Sequence, residues 1–211
     1  KILMAINSCL KQQGIDKTDI EIIIADGNST DKTVQIIKNV IRKNEQVKLV
    51  RNKYRFMPHG FNIALSTSRG KYVMVMSGHS ELSIDYVKNC IKSMNKKKVM
   101  CVSGLMKTVQ RSSTGKVISV ALSTPFGIGN SRFRLPNKNG AFVDTGVFGF
   151  YNSKVFAEIG GMDEDLVKNQ DEELNYRLIK HGYKIWLDPS IKSKYFSRNS
   201  FSKLFSQYFY Y

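Results

Sequence analysis

Apolar and polar positions change rhythm partway along this 211-residue chain. The opening stretch, KILMAINSCLKQQ, sets Ile2, Ile6 and Leu10 at helical spacing beside Leu3 and Cys9, which predicts an amphipathic helix already under way at Lys1. Residues 20–25 form a β-rich run, and residues 31–42 carry Val34, Ile37 and Ile41 at helical spacing. A short strand is predicted at 47–50 and a helix at 58–68, with Pro58 near its start. Gly70 ends that helix, and residues 72–76 form a continuous apolar run, as in a strand covered on both faces. A further helix follows at 84–94. Strand and helix alternate throughout, which implies a mostly parallel sheet with helices on both faces.

Beyond about residue 99 the rhythm breaks. Strands are predicted at 99–108 and 116–122, joined by a turn at 111–115. Residues 123–140, rich in Gly, Asn, Pro and Arg, read as a long loop. A strand at 143–151 and a short helix at 154–159 follow, the helix stopped by Gly160 and Gly161. The last predicted elements are a helix at 171–181, ended by Gly182, and a strand at 184–187 closed by Asp188-Pro189. No internal repeat or low-complexity segment is visible.

Composition adds bounds. The apolar share of 42% supports a sizeable core, and no stretch approaches the roughly 18–20 apolar residues of a membrane-spanning helix. Cys9, Cys90 and Cys101 lie far apart in apolar settings, so they read as reduced, buried thiols of a cytosolic protein. The net charge of +16 asks for an anionic partner: nucleic acid, nucleotide, acidic glycan or anionic membrane. The charge is scattered and lysine-rich, and no zinc finger, RNA-recognition signature or phosphate loop with a terminal Lys is present, so nucleic acid is the weakest of these.

Three stretches carry chemistry. EIIIADGNSTDKT (21–33) ends a buried strand on Asp26, where a carboxylate can accept hydrogen bonds from a base or ribose. The same residues also suit a turn with Ser29, Thr30 or Asp31 as helix cap. SGHSE (77–81) follows an apolar run at a strand end, the usual position of ligand loops in α/β sheets; it reads as a metal and phosphate site, its remnant, or a turn. NQDEELNYRLIKHGYKIWLDP (169–189) opens a helix with Asp171, Glu172 and Glu173. Those carboxylates complement the helix dipole, yet Leu174 and Leu178 can anchor one face while Asp171 projects from the open end as a general base.

These stretches together resemble a family-2 glycosyltransferase of the GT-A fold. IIIADGNSTDKT resembles the family's Asp-Asp-Gly-Ser-Thr-Asp nucleotide turn, SGHS stands where its Asp-x-Asp metal motif belongs, and NQDEELNYRL resembles its Glu-Asp-x-x-Leu-x-x-Arg-Leu segment. Residues 143–189 resemble more narrowly the succinoglycan-type exopolysaccharide enzymes. The resemblance implies one α/β domain with a doubly wound, mixed sheet. Residues 1–104 would be its nucleotide-binding half and 105–211 its acceptor half. The family's opening strand has no counterpart before Lys1, which implies a sheet lacking its first strand.

The resemblance also implies inverting sugar transfer from a nucleotide-diphosphate donor, a UDP-sugar first among them, to a glycan or lipid-linked acceptor. Asp171 matches the catalytic base, and Asp26 the nucleotide contact. Arg55 and His59 lie in the donor-contact stretch, with Ser77 and Gly78 on the diphosphate loop; Asp144, Thr145 and Glu172 fall on the acceptor side. Ser77 and His79 replace the usual metal-motif acids, which leaves His79 as the ligand for Mn2+ or Mg2+, with Glu81 a nearby oxygen donor or a helix cap. Arg177 matches the pattern but equally suits an ion pair with a neighbouring carboxylate.

The chain closes on KSKYFSRNSFSKLFSQYFYY, where Phe201, Leu204, Phe205, Tyr208 and Phe209 share a helical face flanked by Lys192, Lys194, Arg198 and Lys203. This segment either packs on its own domain or lies on an anionic membrane surface. The family's lipid-linked acceptors favour the membrane and imply work at the cytoplasmic face of a bacterial plasma membrane, in exopolysaccharide or capsule synthesis. Three rival readings are a non-catalytic remnant that binds glycan or membrane, a sugar-phosphate nucleotidyltransferase, and a nucleic-acid binder.

Overall fold

A computed structural model describes residues 1–109, 133 and 139–196. The strand expected at 116–122, the turn before it, nearly all of the long loop and the closing basic aromatic segment from residue 197 on lie outside the described residues, while the first residues of that segment, 192–196, belong to a strand.

The elements run α1 (Ile2–Leu10), β1 (Ile22–Asp26), α2 (Thr33–Ile41), β2 (Val47–Arg51), α3 (Met57–Thr67), β3 (Tyr72–Met74), β4 (Ser80–Leu82), α4 (Tyr86–Lys97), β5 (Cys101–Val109), β6 (Ala141–Val143), β7 (Val147–Asn152), α5 (Val155–Ile159), α6 (Gln170–Lys180) and β8 (Ile185–Phe196). The expected alternation of strand and helix is present up to β3. β1 and β2 pair in parallel as a two-stranded sheet. A six-stranded sheet follows the order β3-β7-β5-β8-β4, with β6 also on β8. It is mixed: β5 and β8 are parallel, and the other pairs are antiparallel. Among the described residues no strand pairs β1 with β3.

Three apolar clusters hold these layers. Ile6, Ile37 and Val47 meet between α1, α2 and β2. Tyr86, Cys90 and Met94 of α4 pack on Val102, Phe150 and Ile191 of the large sheet. Leu174 and Leu178 of α6 pack with Val155, Phe156 and Tyr151, so the anchoring face read from sequence is the buried one. Gln12, buried, ties α1 to its neighbours, its Nε2 donating to the Ser8 and Ser83 carbonyls while its Oε1 accepts from Val87 N–H. The three cysteines are free thiols. Burial pushes the Cys9 thiol up to about 11 and raises Cys90 and Cys101 as well, so all three stay protonated and unreactive at neutral pH.

Three local readings need correction. The strand expected at 143–151 is two strands, because the chain leaves β8 after Val143 and joins β5 at Val147. Gly146 lies so close to Ser103 that a Cβ there would stand 2.5 Å from its Oγ, and that hydroxyl donates to the Val147 carbonyl (2.8 Å). Asp188-Pro189 does not end the last strand either. β8 runs on to Phe196 through a bulge, its register on β5 jumping from Gly104↔Asp188 to Leu105↔Lys192. Pro189 falls in that bulge, where no ladder donor is required. The strand after Gly70 stops at Met74, and residues 80–82, read as loop, form β4 through pairing with β8.

Candidate functional site

Asp26 stands at the C-terminal end of β1, as its position after an apolar run predicts. Its Oδ2 accepts the Ser29 N–H (3.1 Å), and its carbonyl accepts the Asn52 N–H (2.9 Å). Neither Ser29, Thr30 nor Asp31 caps α2, whose N-cap is Lys32; Asp31 instead closes a local turn on Thr33. The carboxylate of Asp26 thus organises a turn and remains at the surface. Gly27 meets the loop after β2: a Cβ on it would lie 3.1 Å from the Arg55 carbonyl oxygen. Arg55 adopts a left-handed backbone with φ of 69°, a conformation that costs a side-chain-bearing residue about 1–2 kcal/mol. Its guanidinium is exposed and makes no hydrogen bond or ion pair among the described residues.

His59, in the first turn of α3, stacks on Tyr54 with ring centroids 4.3 Å apart. Its Nε2 lies 3.5 Å from Glu164 Oε2, and its Nδ1 is buried without a hydrogen-bond partner among the described residues. Asn62, one turn on, fixes that arrangement. Its Nδ2 donates to the Met162 carbonyl (2.8 Å) and to Glu164 Oε1 (2.9 Å), and its Oδ1 accepts the Met162 N–H (2.8 Å). α3 therefore joins the loop after β2 to the loop that leads into α6.

Ser77, Gly78 and His79 connect β3 to β4 in a tight turn. Ser77 Oγ accepts the His79 N–H (3.3 Å), and the His79 carbonyl accepts the Phe196 N–H (3.0 Å). Gly78 sits against α1, where a Cβ would meet Ile2 at 3.2 Å. Because β3 and β7 are antiparallel, the end of β3 lies beside the start of β7. The Ser77–His79 turn and the turn holding Asp144 and Thr145 therefore emerge at the same end of the large sheet. Glu81 is neither a helix cap nor unengaged: it lies on β4, and its Oε2 stands 3.4 Å from Lys194 Nζ. Among the described residues no three His, Cys, Asp or Glu side chains converge as a metal cage.

Asp171 and Glu172 open α6 behind Asn169, whose left-handed backbone (φ 57°) turns the chain sharply into the helix. Both carboxylates are exposed. Asp171 makes no hydrogen bond or ion pair among the described residues, yet its charge reaches the fully buried Tyr151 beneath. Burial above all, then the neighbouring Cys101 and Asp171, raises the Tyr151 phenol well above its usual range. Tyr151 donates to Asn175 Oδ1 (3.2 Å) and so stays a neutral prop under the helix. Arg177 has a structural partner set. It forks onto both oxygens of Glu173 and donates to the carbonyls of Ile159 and Gly161, tying α6 to the end of α5. Of the two readings left open for it, the ion pair is the observed one.

Sequence reasoning passed over Asn52, Tyr54, Asn62 and Glu164. Asn52 had a weak signal, an amide directly after an apolar strand; Tyr54 meets His59 five positions on, whereas Asn62 and Glu164 owe their roles to partners about a hundred positions away.

A family model described as "Glycosyl transferase family 2" matches residues 1–160. The chain is similar to the dolichyl N-acetyl-alpha-D-glucosaminyl phosphate 3-beta-D-2,3-diacetamido-2,3-dideoxy-beta-D-glucuronosyltransferase of Methanococcus voltae, 32% identical over 96% of this chain and 66% of that protein. It is also similar to the succinoglycan biosynthesis protein ExoA of Rhizobium meliloti, 29% identical over 89% of this chain and 57% of that protein. It thus spans 57–66% of the length of these relatives. Among solved structures, S. aureus TarS 1–349 superposes with a TM-score of 0.71 at 17% identity, over 92% of this chain and 56% of that one. GalNAc-T7 with UDP, GalNAc and Mn2+ superposes at 0.72 and 16%, over 93% of this chain and 41% of that one. At these identities the likeness is one of fold.

Proposed function

Since the chain belongs to glycosyl transferase family 2 and has the single-domain GT-A fold, we propose that it transfers a sugar with inversion from a UDP-sugar to a hydroxyl of a glycan or lipid-linked acceptor. The observation that carries this is the state of the α6 carboxylates. Glu173 is consumed by Arg177, whereas Asp171 stands at the open end of the same helix, which the buried Tyr151 supports at Asn175, and keeps its oxygens available. A general base needs that combination of fixed position and unspent acceptor.

In the proposed step the acceptor oxygen attacks the anomeric carbon on the face opposite the diphosphate. The carbon–oxygen bond to the diphosphate breaks, and the acceptor's proton passes to the Asp171 carboxylate. Asp26 receives the nucleoside, Arg55 offers positive charge to the phosphates, and His59, Ser77 and Gly78 line the donor. Asp144, Thr145 and Glu172 face the acceptor. A divalent cation, Mn2+ or Mg2+, carried by the diphosphate would find His79 as its protein ligand and would neutralise the leaving group. A UDP complex of TarS and the UDP and Mn2+ of GalNAc-T7 support this choice of donor and ion. Similarity to the succinoglycan biosynthesis protein supports a place in exopolysaccharide assembly, similarity to the dolichyl phosphate enzyme supports a lipid-linked acceptor, and the +16 charge supports an anionic membrane surface, here proposed at the cytoplasmic face.

The test is calorimetric titration of UDP with and without Mn2+, on the native chain and on His79→Ala and Asp171→Asn. Metal-assisted binding that His79→Ala weakens and Asp171→Asn leaves intact is the expected result. UDP-sugar turnover by Asp171→Asn should fall about 10²–10⁴-fold. Absence of UDP binding under every condition would sink the proposal. It would favour a non-catalytic remnant, a reading that rests on Ser77, a hydroxyl spent on its own turn where an acid is usual.

A further inference from the structure

We infer that Asn52 is a positioning residue for the nucleotide site, acting through Arg55. The inference rests on the donor-site reading above.

Asn52 follows β2 directly and is 3% exposed. Four hydrogen bonds radiate from it. Its main-chain N–H donates to the Asp26 carbonyl (2.9 Å), and its own carbonyl accepts the Arg55 N–H (3.3 Å). Its side-chain Oδ1 accepts the Tyr54 N–H (3.2 Å), and Nδ2 donates to the Phe56 carbonyl (2.7 Å). One buried residue thus fixes the end of β1 and every step of the turn across 54–56. α3 leaves room for the amide: a Cβ on Gly60 would stand 3.0 Å from Asn52 Nδ2.

The device holds a residue that resists being held. Left-handed positions ordinarily go to Gly or Asn, yet this one carries Arg55 at φ 69°. Such strain persists only where surrounding bonds over-determine it, and it concentrates at ligand clamps. A turn needed only for chain reversal has no use for a guanidinium there. A turn that must aim one does, because the backbone conformation sets the direction of the side chain. The side chain starts beside the Asp26–Gly27 turn, because the glycine packs closely on the Arg55 backbone. An uncommitted guanidinium carried from beside that carboxylate-bearing turn suits the phosphates of a nucleoside diphosphate whose ribose or base engages Asp26.

UDP affinity of the native chain, Asn52→Ala, Arg55→Ala and the double variant decides the matter. Asn52→Ala is expected to weaken UDP about tenfold with helix content unchanged. The double variant should bind no worse than Arg55→Ala alone, since an aiming device has nothing left to aim. Normal binding by Asn52→Ala, or losses that multiply in the double variant, would overturn the inference while leaving the donor site standing. Failure of the native chain to bind UDP overturns both. Should Asn52→Ala not fold, Asn52→Asp keeps the acceptor for Tyr54 and loses the donor to Phe56, and the same cycle with Arg55→Ala applies.

Discussion

At the scale of single residues, Arg177 shows how a family-pattern residue can be structural. Its fork joins a carboxylate and two carbonyls that no ammonium could reach at once. Arg177→Lys should therefore lower stability by about 2–3 kcal/mol, read from the urea midpoint, without changing UDP affinity. Asp171, six residues away, should give the opposite result, with turnover lost and stability kept. The contrast separates the two functions that a short acidic helix start combines. Both positions could be placed on this helix from sequence, Asp171 at its entry and Arg177 about two turns in, because apolar spacing and the acidic start mark the helix locally. His59 was legible only as a member of a stretch; its stacking on Tyr54 and approach to Glu164 come from residues five and about a hundred positions off.

At the scale of elements, runs and periods predicted what local sequence controls. α2, α3, α4 and α6 follow their apolar spacing, and β1, β2 and β5 follow their β-rich runs. The misreadings occur where a distant partner decides. β4 is Ser-Glu-Leu, a poor strand by composition, and becomes one because β8 supplies a ladder. The division between β6 and β7 is imposed by Ser103, some forty residues earlier, crowding Gly146. Gly146→Ala should cost about 1–3 kcal/mol through that clash and shift the adjacent Asp144–Thr145 turn. The drop in thermal midpoint would be accompanied by altered exchange of the Val147 amide.

At the scale of the whole molecule, the two sheets meet through side chains rather than a shared ladder. Glu21, just before β1, accepts from the N–H groups of Arg69 and Gly70 ahead of β3 and stands 3.1 Å from Lys48 on β2. Partial burial pushes its carboxyl up, but the Arg69 N–H, the Lys48 ammonium and the Gly70 N–H outweigh that and hold it below its ordinary 4.5. A carboxylate with a lowered folded value stabilises the fold above the unfolded value and loses that contribution as pH falls through the folded one. Glu21→Gln should thus be less stable than the native chain by about 1–3 kcal/mol at pH 7, and the two should converge on acidification below 4.5. β1 and β2, which among the described residues share a ladder with each other alone, and of which β1 is only half-buried, should also open more readily than β5 and β8 in hydrogen exchange. The Asp26–Arg55 turn rides on this looser piece. On the proposed donor-site reading, a nucleotide bound there would act as a suture: at a hundred times its dissociation constant it would add about 2.7 kcal/mol to the work of opening the seam. On that reading donor supply would govern how long the chain survives proteolysis as well as how fast it turns over, and the empty protein would fray first at the proposed point of donor entry.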